Sequence, residues 1–372
     1  MSANIFFVAI DVDDKSFHGC GINKMTGEIK EFACKPTIGH LAKKLNEFLE
    51  EADEVKVCYE ATYLGFSLYR ALKKKGFNCE VIAPSLIPHR PGEKIKTDKL
   101  DCRKMAEYYV NGQLTGVHVP TEAEEATRDF IRSRKFLSRQ TCSLKRYILS
   151  LSRRMGLDYR QGEGRENKNY WTLEHRTWLT KKTGETKEVV LKTNMTLLLS
   201  HLEQVENQIK LYDEEIERIS DQDGYQKKVR ALCCYRGVDT LTAMTLVTEL
   251  GDIKRFSHPR QLCSYAGMEL IEYSSGGKQR QYRMSKMGNA HIRTSIIEAC
   301  QTASRLPVVS KCLRQRRKDV NEKYVNIADR CMRRLYAKSK RLLHREKQVN
   351  KVKVACAREM LCFVWESLKN AA

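Results

Sequence analysis

The chain has 372 residues, a formal charge of +21 at pH 7 and hydrophobic side chains at 41% of its positions. This length predicts two or three domains with packed cores. No apolar run reaches the roughly 18 residues of a membrane span, and no secretory signal pattern opens the chain. The 14 cysteines have neither C-x-x-C nor zinc spacing. We therefore expect free thiols in a reducing cytoplasm.

The excess of positive charge predicts a polyanionic partner, most often nucleic acid. A ribosomal or membrane-surface protein can carry the same charge, so this feature by itself indicates only a class of partner.

The first 110 residues carry strand and helix patterns in the order βββαβαβα. Two of the strands end at an acid, Asp11 and Glu60, and the last helix opens with Asp98 and Asp101. The predicted strands cover residues 4–12, 17–22, 28–34, 55–60 and 79–83, and the first two predicted helices cover residues 38–49 and 63–74.

Asp98 and Asp101 lie three residues apart among five Lys and Arg in residues 94–108. On a helix such a pair shares one face, where like charges repel unless a cation lies between them. One interpretation is a solvated helix start, because acids in the first turn complement the helix dipole. The other is a metal site that also includes Asp11 and Glu60. The preceding basic loop, residues 91–99, suits a nucleic-acid backbone.

Residues 121–222 predict two long helices. An N-cap signature at Thr121 begins the first, which runs to about Met155 with one strongly basic face that favours a polyanion over a merely solvated surface. The second has heptad-like spacing over residues 191–219, and the two can pair with each other or with another copy of the chain. The polar segment 158–186 between them is predicted to be an excursion from the long helices that has no core of its own. Its Trp171 and Trp178 either stack on bases or pack on the long helices.

Residues 223–372 predict a mostly helical region. Residues 236–239 indicate a helix-hairpin-helix turn that can hold a phosphate. Ser274 and Ser275 precede two glycines in a predicted loop rich in cations, an open setting for a nucleophile, although most such serines are inert. The tail from Leu306 has 18 Lys and Arg against 6 Asp and Glu, and its apolar repeats predict ordered helices, with RNA binding suggested by charge.

The element order of the first 110 residues resembles an RNase H-like, RuvC-like nuclease domain. The resemblance implies that the first and fourth strands are neighbours, so that Asp11 and Glu60 meet at one sheet edge and the last helix brings Asp98 and Asp101 to them. Four convergent carboxylates are unfavourable near neutral pH unless hard divalent cations neutralise them. The implied cofactor is therefore Mg²⁺, with two ions.

A second resemblance covers roughly residues 4–305. The KTDKLD, GDIKRF, SYAGM, SSGGK, SKMGN and HIR stretches, in this order, resemble the DEDD-type insertion-sequence transposases with a second, serine-bearing domain, which are bridge-RNA-guided recombinases. The resemblance implies that Asp11, Glu60, Asp98 and Asp101 are metal ligands and that Ser275 is the nucleophile, with Ser274 as the competing candidate. Ser285 replaces the family's Thr in SKMGN, and the tail is long for the family.

The predicted fold class is α/β plus α. We expect a RuvC-like (RNase H fold) domain at 1–120, long paired helices of coiled-coil type with a polar insertion at 121–222, a mostly helical serine-bearing transposase domain at 223–305 and a basic helical C-terminal extension at 306–372. The expected partners are donor and target DNA, a non-coding guide RNA and further copies of the chain in a dimer or tetramer, without a membrane. The resemblance also implies a bacterial cytoplasmic protein that is nucleoid-associated when it is bound to DNA. A mechanism that uses both the four acids and the serine requires them to come together in space, within one subunit or between two.

Two other functions fit parts of these observations. A metal-dependent, junction-resolving endonuclease would use the acids to activate water and leave Ser275 as a loop residue. A structural nucleic-acid packaging protein would use charge alone.

Overall fold

The computed structural model describes residues 3–88, 98–275 and 278–371; for Asp98 and residues 273–275 and 278–283 it describes the backbone alone. Most of the predicted basic loop, residues 91–97, lies outside the described residues. The chain divides into two compact units, Met1–Thr121 and Glu122–Ala372. No helix within the described ranges combines the length and apolar character that crossing a bilayer requires.

The first unit is built on a five-stranded mixed sheet with helices on both faces. Its elements are β1 (Ile5–Val12), β2 (Phe17–Asn23), β3 (Ile29–Cys34), α1 (Ile38–Leu49), β4 (Glu54–Glu60), α2 (Ser67–Lys74), β5 (Asn78–Ile82) and α3 (Asp98–Val110). The strand order is β3-β2-β1-β4-β5, with β1, β2 and β3 antiparallel and β4 and β5 parallel to β1. The predicted element order and the predicted pairing of the first and fourth strands are confirmed.

The central strand β1 is apolar on both faces because each face is covered. Phe6, Val8 and Ile10 are fully buried in a core that they share with α1 and α2. Phe7 and Ala9 belong to a second core, on the opposite face, which α3 closes. Since side chains alternate along a strand, the odd-numbered positions of β1 are on the α3 face.

The second unit is mainly helical. Its elements are α4 (Glu122–Arg154), α5 (Leu173–Glu185), α6 (Val189–Ser220), α7 (Gln226–Cys233), α8 (Thr240–Leu250), α9 (Pro259–Tyr265), β6 (Leu270–Ser275), β7 (Lys278–Met284), α10 (Ala290–Ala299), α11 (Lys311–Arg316), α12 (Glu322–His344) and α13 (Val349–Ala371). The predicted long helices and the predicted helical tail are confirmed. The serine-bearing stretch, which we predicted as a loop, is a two-stranded hairpin.

The long helices α4 and α6 pair with each other. The rings of Phe130 and Tyr212 are 4.5 Å apart, and further along α4 the Lys145 ammonium lies 2.7 Å from the Glu206 carboxylate. The partner number falls as the α4 number rises, so the two helices are antiparallel. Of the two predicted pairings, the one within the chain is therefore confirmed.

The segment between the long helices has a core of its own, so the prediction of an excursion without a core was wrong. Leu179 of α5 and Met195 of α6 are fully buried against α4. His175 is also buried, and Trp178 stacks beside it with ring centroids 6.0 Å apart. The insertion folds because its aromatic side chains cover apolar positions near the end of the α4–α6 pair. For Trp171 and Trp178, the interpretation as packing residues is confirmed.

The helices of the basic tail complete the main core of the second unit. Buried residues of α12 and α13 pack with α7, α8, α9 and α10 in one continuous cluster. The Tyr235 hydroxyl, next to α7, donates a hydrogen bond to the Phe363 carbonyl oxygen at 2.9 Å, and the Trp365 indole donates to the Phe256 carbonyl oxygen at 2.9 Å. The positive charge of the tail therefore lies on the outer faces of helices whose inner faces are structural.

Candidate active-site residues

Asp11 and Glu60 lie on the same face of the sheet, at the same edge. On β1, Asp11 follows Phe7 and Ala9 on the α3 face. On β4, Cys58 belongs to that same core, and Glu60 is the next residue of the same parity. The parallel register pairs Ile10 with Tyr59 as its last step, so Asp11 and Glu60 follow at corresponding positions of neighbouring strands. Asp11 is partly buried and Glu60 is exposed.

The first turn of α3 lies over this region of the sheet. The Cys102 thiol, buried at 1% exposure, donates a hydrogen bond to the His18 carbonyl oxygen at 3.2 Å. His18 is the antiparallel partner of Asp11. Asp101, adjacent to Cys102 and partly buried, is therefore held near the Asp11 position. Asp98 begins the helix one turn earlier, and its side chain lies outside the described residues.

Two cations of α3 form ion pairs with acids outside the proposed metal site. The Lys99 ammonium lies 2.6 Å from the Glu31 carboxylate of β3. Further along the helix, Arg103 lies 3.7 Å from Glu107.

The donors at this edge are all carboxylates, which is the ligand type that Mg²⁺ prefers. Within the described side chains, which include Asp11, Glu60 and Asp101 but not Asp98, no three His, Cys, Asp or Glu lie close enough together to hold an ion. The carboxylates at this edge fit a hard divalent cation in their chemistry, and a metal site that includes Asp98 stays a prediction.

Ser274 and Ser275 end strand β6 at the tip of the hairpin. Their antiparallel partners are Gln279 and Lys278. The serine side chains and residues 276–277 lie outside the described residues. The backbone therefore places both candidate nucleophiles in the last two pairs before the turn, and the choice between them stays a prediction.

The SYAGM and SKMGN stretches form the base of this hairpin. Ser285 donates its main-chain N–H to the Glu269 oxygen at 2.9 Å, and Lys286 donates to the Gly267 oxygen at 3.0 Å. Asn289 donates to the Tyr265 oxygen at 2.8 Å. The HIR stretch adds Arg293, whose guanidinium donates to the Ala266 and Lys286 oxygens at 2.9 and 3.2 Å. These motifs hold the strand that carries the serines.

Gly288 is required by this packing. Its φ is +144°, and a Cβ atom built on it would lie 2.4 Å from the Tyr265 oxygen. We expect Gly288→Ala to destabilise the second unit by about 3 kcal/mol, because main-chain atoms cannot move aside cheaply. Chemical denaturation of the full chain, followed by Trp fluorescence, measures this difference.

The matched control is Gly184→Ala, in α5 of the same unit, where an added Cβ has no neighbour within 4 Å. This change is expected to be neutral or stabilising by about 0.5–1 kcal/mol, because alanine is the better helix former. Equal stability of the Gly288→Ala protein and the wild type would contradict the tight contact.

The sequence analysis missed a buried polar cluster around Glu249. The Arg132 guanidinium of α4 donates two hydrogen bonds to this carboxylate, at 2.7 and 2.8 Å, and the Asn289 amide of the SKMGN stretch donates a third at 2.7 Å. His291 Nδ1 lies 3.9 Å away. Burial opposes ionisation of Glu249, but the hydrogen bonds and charge of Arg132 outweigh it and hold the pKa of this carboxyl below its usual value. The available signal was a single acid in the otherwise uncharged helix α8.

This cluster joins three elements that the motifs alone did not connect. Arg132 belongs to α4, Glu249 to α8, and Asn289 caps α10 by accepting hydrogen bonds from the main-chain N–H groups of His291 and Ile292. Breaking a buried pair of this kind leaves an uncompensated charge, which is strongly destabilising. The cluster therefore fixes the long basic helix to the body that carries the serine hairpin.

The basic face of α4 borders a groove of about 540 Å³ against α8 and α10. Lys135, Arg139 and Arg146 of α4 line one wall. Burial lowers the pKa of Lys135, so this ammonium is partly desolvated. Hydroxyl groups line the other wall, together with Glu298: Thr242, Thr245, Thr294 and Ser295. The Thr245 and Thr294 hydroxyls already donate to main-chain oxygens of their own helices. The cations of α4 are therefore the main contacts that this groove offers a phosphodiester backbone.

The predicted helix-hairpin-helix turn is present between α7 and α8, but protein groups use its main-chain atoms. Arg317 donates to the Cys234 oxygen at 3.0 Å, and Arg316 donates to the Val238 oxygen. The Asp239 carboxylate caps α8 by accepting a hydrogen bond from the Thr242 N–H at 2.8 Å. A phosphate at the start of α8 would have to displace that cap.

Two protein-family models match the sequence of this chain. A model of the DEDD-type transposases matches residues 8–154, which include the sheet, α3 and α4. A model of the transposase IS116/IS110/IS902 family matches residues 229–314, which include the hairpin and its base. The two matches cover separate parts of the chain in order.

Whole proteins give the same result. The chain is 29% identical to y4qE of Sinorhizobium fredii, named as a transposase, over 98% of this chain and 89% of that protein. It is 29% identical to the transposase of insertion sequence element IS1533 of Leptospira borgpetersenii, over 93% of this chain and 99% of that protein. The transposase of element IS1111A of Coxiella burnetii is 24% identical over 81% of this chain and 79% of that protein.

The family models and these relatives define a transposase, an enzyme that acts on DNA by cleaving and rejoining it. More particularly, the chain belongs to the DEDD-type insertion-sequence transposases, which the two family models represent. This family points to dependence on a divalent metal ion.

Proposed function

We propose that the chain is an RNA-guided, site-specific recombinase that excises and inserts its own mobile element. The observation that carries this proposal is that Asp11, Glu60 and the start of α3 occur at one sheet edge, while Ser274 and Ser275 end strand β6 of a braced hairpin. In this proposal residues 1–120 act as an RNase H-like domain and residues 223–305 carry the nucleophile. Residues 121–222 provide the long helices, and residues 306–372 complete the main core of the second unit and add a basic outer surface.

The sheet supports the RNase H-like assignment. An antiparallel meander of three strands is followed by two strands parallel to the first, with the order β3-β2-β1-β4-β5. The acids stand at the carboxyl ends of β1 and β4 and at the start of α3, on the face that this helix covers. A metal site at this edge would explain why two buried strands end at an acidic residue.

Asp11, Glu60, Asp98 and Asp101 would hold the metal ions. Two bound Mg²⁺ would stabilise the charge that develops on both oxygens of a phosphoryl displacement. The chain's own contribution is to fix three of the carboxylate positions on ordered main chain, through the β1–β4 register and the Cys102–His18 contact.

Ser275 would supply the nucleophile, with Ser274 as the competing residue. The serine oxygen forms a bond to phosphorus, the bond from phosphorus to the leaving deoxyribose oxygen breaks, and that oxygen takes up a proton. Rejoining reverses these changes on a second strand. One phosphodiester replaces another, so the exchange needs no external energy source. Strand exchange requires at least two cleaved strands, which favours a dimer or tetramer of the chain.

A guide RNA would supply the sequence recognition. The basic groove along α4 offers contacts to a phosphate backbone, which carry no sequence information by themselves. The remaining positive charge, including the outer faces of α12 and α13, is available to a structured RNA.

RNA dependence is directly testable. We expect ribonuclease treatment of the purified complex to lower sequence-specific DNA binding by about a hundredfold or more at physiological salt, with weak nonspecific binding retained. Gel-shift titrations with specific and scrambled duplexes measure both. Sequence-specific binding that survives complete removal of RNA would refute guidance by RNA, and addition of the copurified RNA should restore the original affinity.

The junction-resolving endonuclease remains the alternative. It uses the same carboxylates but releases DNA with free ends, so the covalent serine adduct separates the two functions.

A further inference from the structure

Two thiols meet where α9 packs against α13. Cys263 of α9 is 6% exposed, and Cys362 of α13 is partly buried. Both sulfur atoms lie against the main-chain oxygen of Arg358, at 3.5 and 3.7 Å. Helix packing therefore holds the two sulfur atoms beside each other.

The pair opens into a groove of about 570 Å³ that solvent and small solutes can enter. Charged groups of both signs face it from every neighbouring element: Arg260 of α9, Glu269 and Glu272 at β6, Lys338 of α12, and Arg358 and Glu359 of α13. Lys338 is paired with Glu359 at 2.6 Å. A small neutral oxidant can therefore reach the pair without crossing an apolar layer.

The two thiols differ in acidity. The hydrogen bond from Cys263, helped by Arg358 and Lys338, holds the pKa of Cys362 below its usual value against the effects of burial and Glu359. The same hydrogen bond, together with burial, raises the pKa of Cys263. Other buried thiols of the chain are less acidic than usual: burial raises the pKa of Cys20 to about 11 and that of Cys233 to about 12. Cys362 is therefore the more acidic of the two thiols.

We propose that Cys362 and Cys263 form a reversible, peroxide-responsive disulfide that fastens α9 to α13. The Cys362 thiolate attacks one oxygen of hydrogen peroxide, forming a sulfenic acid and releasing hydroxide, which is protonated to water. The Cys263 sulfur then attacks the sulfenic sulfur, and its proton leaves with the hydroxyl group as a second water. The two thiols lose two electrons and the peroxide gains them.

The bond would act on the braced hairpin. Helix α9 continues directly into the 264–268 stretch, which accepts the hydrogen bonds from Lys286 and Asn289 at the hairpin base. A covalent link from Cys263 to the C-terminal helix would fix that stretch to the core. This inference concerns a modification site and does not depend on the proposed recombination mechanism.

Tryptic peptides 261–278 and 359–369 each contain one cysteine, so mass spectrometry can identify the bond. After treatment of the full-length protein with hydrogen peroxide and alkylation of the remaining thiols, we expect these two peptides joined, two hydrogens lighter than their sum. Dithiothreitol should separate them again. At pH 7 Cys362 should react at least about tenfold faster than the exposed Cys312, because a thiolate is the reactive form.

Three variants make the assignment specific. Cys362→Ser should leave Cys263 fully alkylated, and Cys263→Ser should leave a sulfenic acid at Cys362 that dimedone captures. Cys312→Ser, at an exposed thiol of α11, should still form the joined peptides at the wild-type rate. Equal oxidation rates of Cys362 and Cys312, or over-oxidation of Cys362 without joined peptides, would overturn the proposal. Near-native circular dichroism of each variant shows that loss of the bond is not loss of the fold.

Discussion

Replacing Ser275 by alanine is expected to eliminate the covalent protein–DNA adduct and to lower strand exchange by about a thousandfold or more, because the attacking oxygen is removed. The reaction on labelled DNA is stopped without protease, so that the covalent adduct survives, and is run on a denaturing gel. The gel then shows the adduct and the exchange products together. Metal binding by the first unit should persist, since Ser275 belongs to the other unit.

Ser274→Ala is the matched comparison. Consecutive positions of a strand belong to opposite faces of the hairpin, so the two substitutions are expected to have very unequal effects. Ser274→Ala should retain most activity, and Ser275→Cys a trace of adduct, because a thiolate is nucleophilic but differs in geometry. The reverse pattern would move the nucleophile to Ser274. Continued cleavage to free ends in both alanine variants would instead establish the nuclease.

Removing one carboxylate charge at the sheet edge is expected to have a comparably large effect. Asp11→Asn, Asp98→Asn and Asp101→Asn should each lower strand cleavage in Mg²⁺ by about a thousandfold, because the divalent cations lose a charged ligand. RNA binding should be unchanged, since the basic surfaces are intact. Cleavage assays and filter binding of RNA measure the two properties separately.

A second readout does not depend on activity. Mg²⁺ or Mn²⁺ should raise the melting temperature of the wild type and raise that of these variants much less, because a ligand stabilises only the state that binds it. Glu50→Gln, an exposed acid that ends α1 in the same unit, removes the same charge away from the edge and should behave like the wild type. Substantial Mg²⁺-dependent cleavage by Asp101→Asn would rule out the four-acid site.

The first unit was predictable because its signals are local. The apolar run that ends at Asp11 is long enough for a doubly covered strand, and the helix patterns have one clear apolar face each. To predict that Asp11 lies beside Glu60, it was also necessary to know that the first and fourth strands are neighbours, which the resemblance implied. The register that places them on the α3 face then follows from alternation.

The second unit was less predictable because its organisation depends on distant contacts. Glu249 is bonded to Arg132, 117 residues away, and to Asn289, 40 residues away. Neither spacing is periodic, so the only sequence signal for this cluster was the single charge of Glu249 in the otherwise uncharged helix α8. The serine hairpin was obscured for another reason: serine, glycine and charged residues dominate it, and this composition is typical of loops.

The position of α13 in the core has a consequence for how the protein is made. The core of the second unit includes Val364 and Leu368 of α13, while its first members lie on α4. Until α13 has been synthesised, the main core of the second unit lacks the buried residues of this helix, whereas the sheet of the first unit is already complete. A gene copy with a stop codon before Val349 would therefore encode a complete sheet unit attached to a second unit whose main core is unfinished. The hairpin with its serines would then lack support, so a decayed element would lose its recombinase even though every proposed catalytic residue is still encoded.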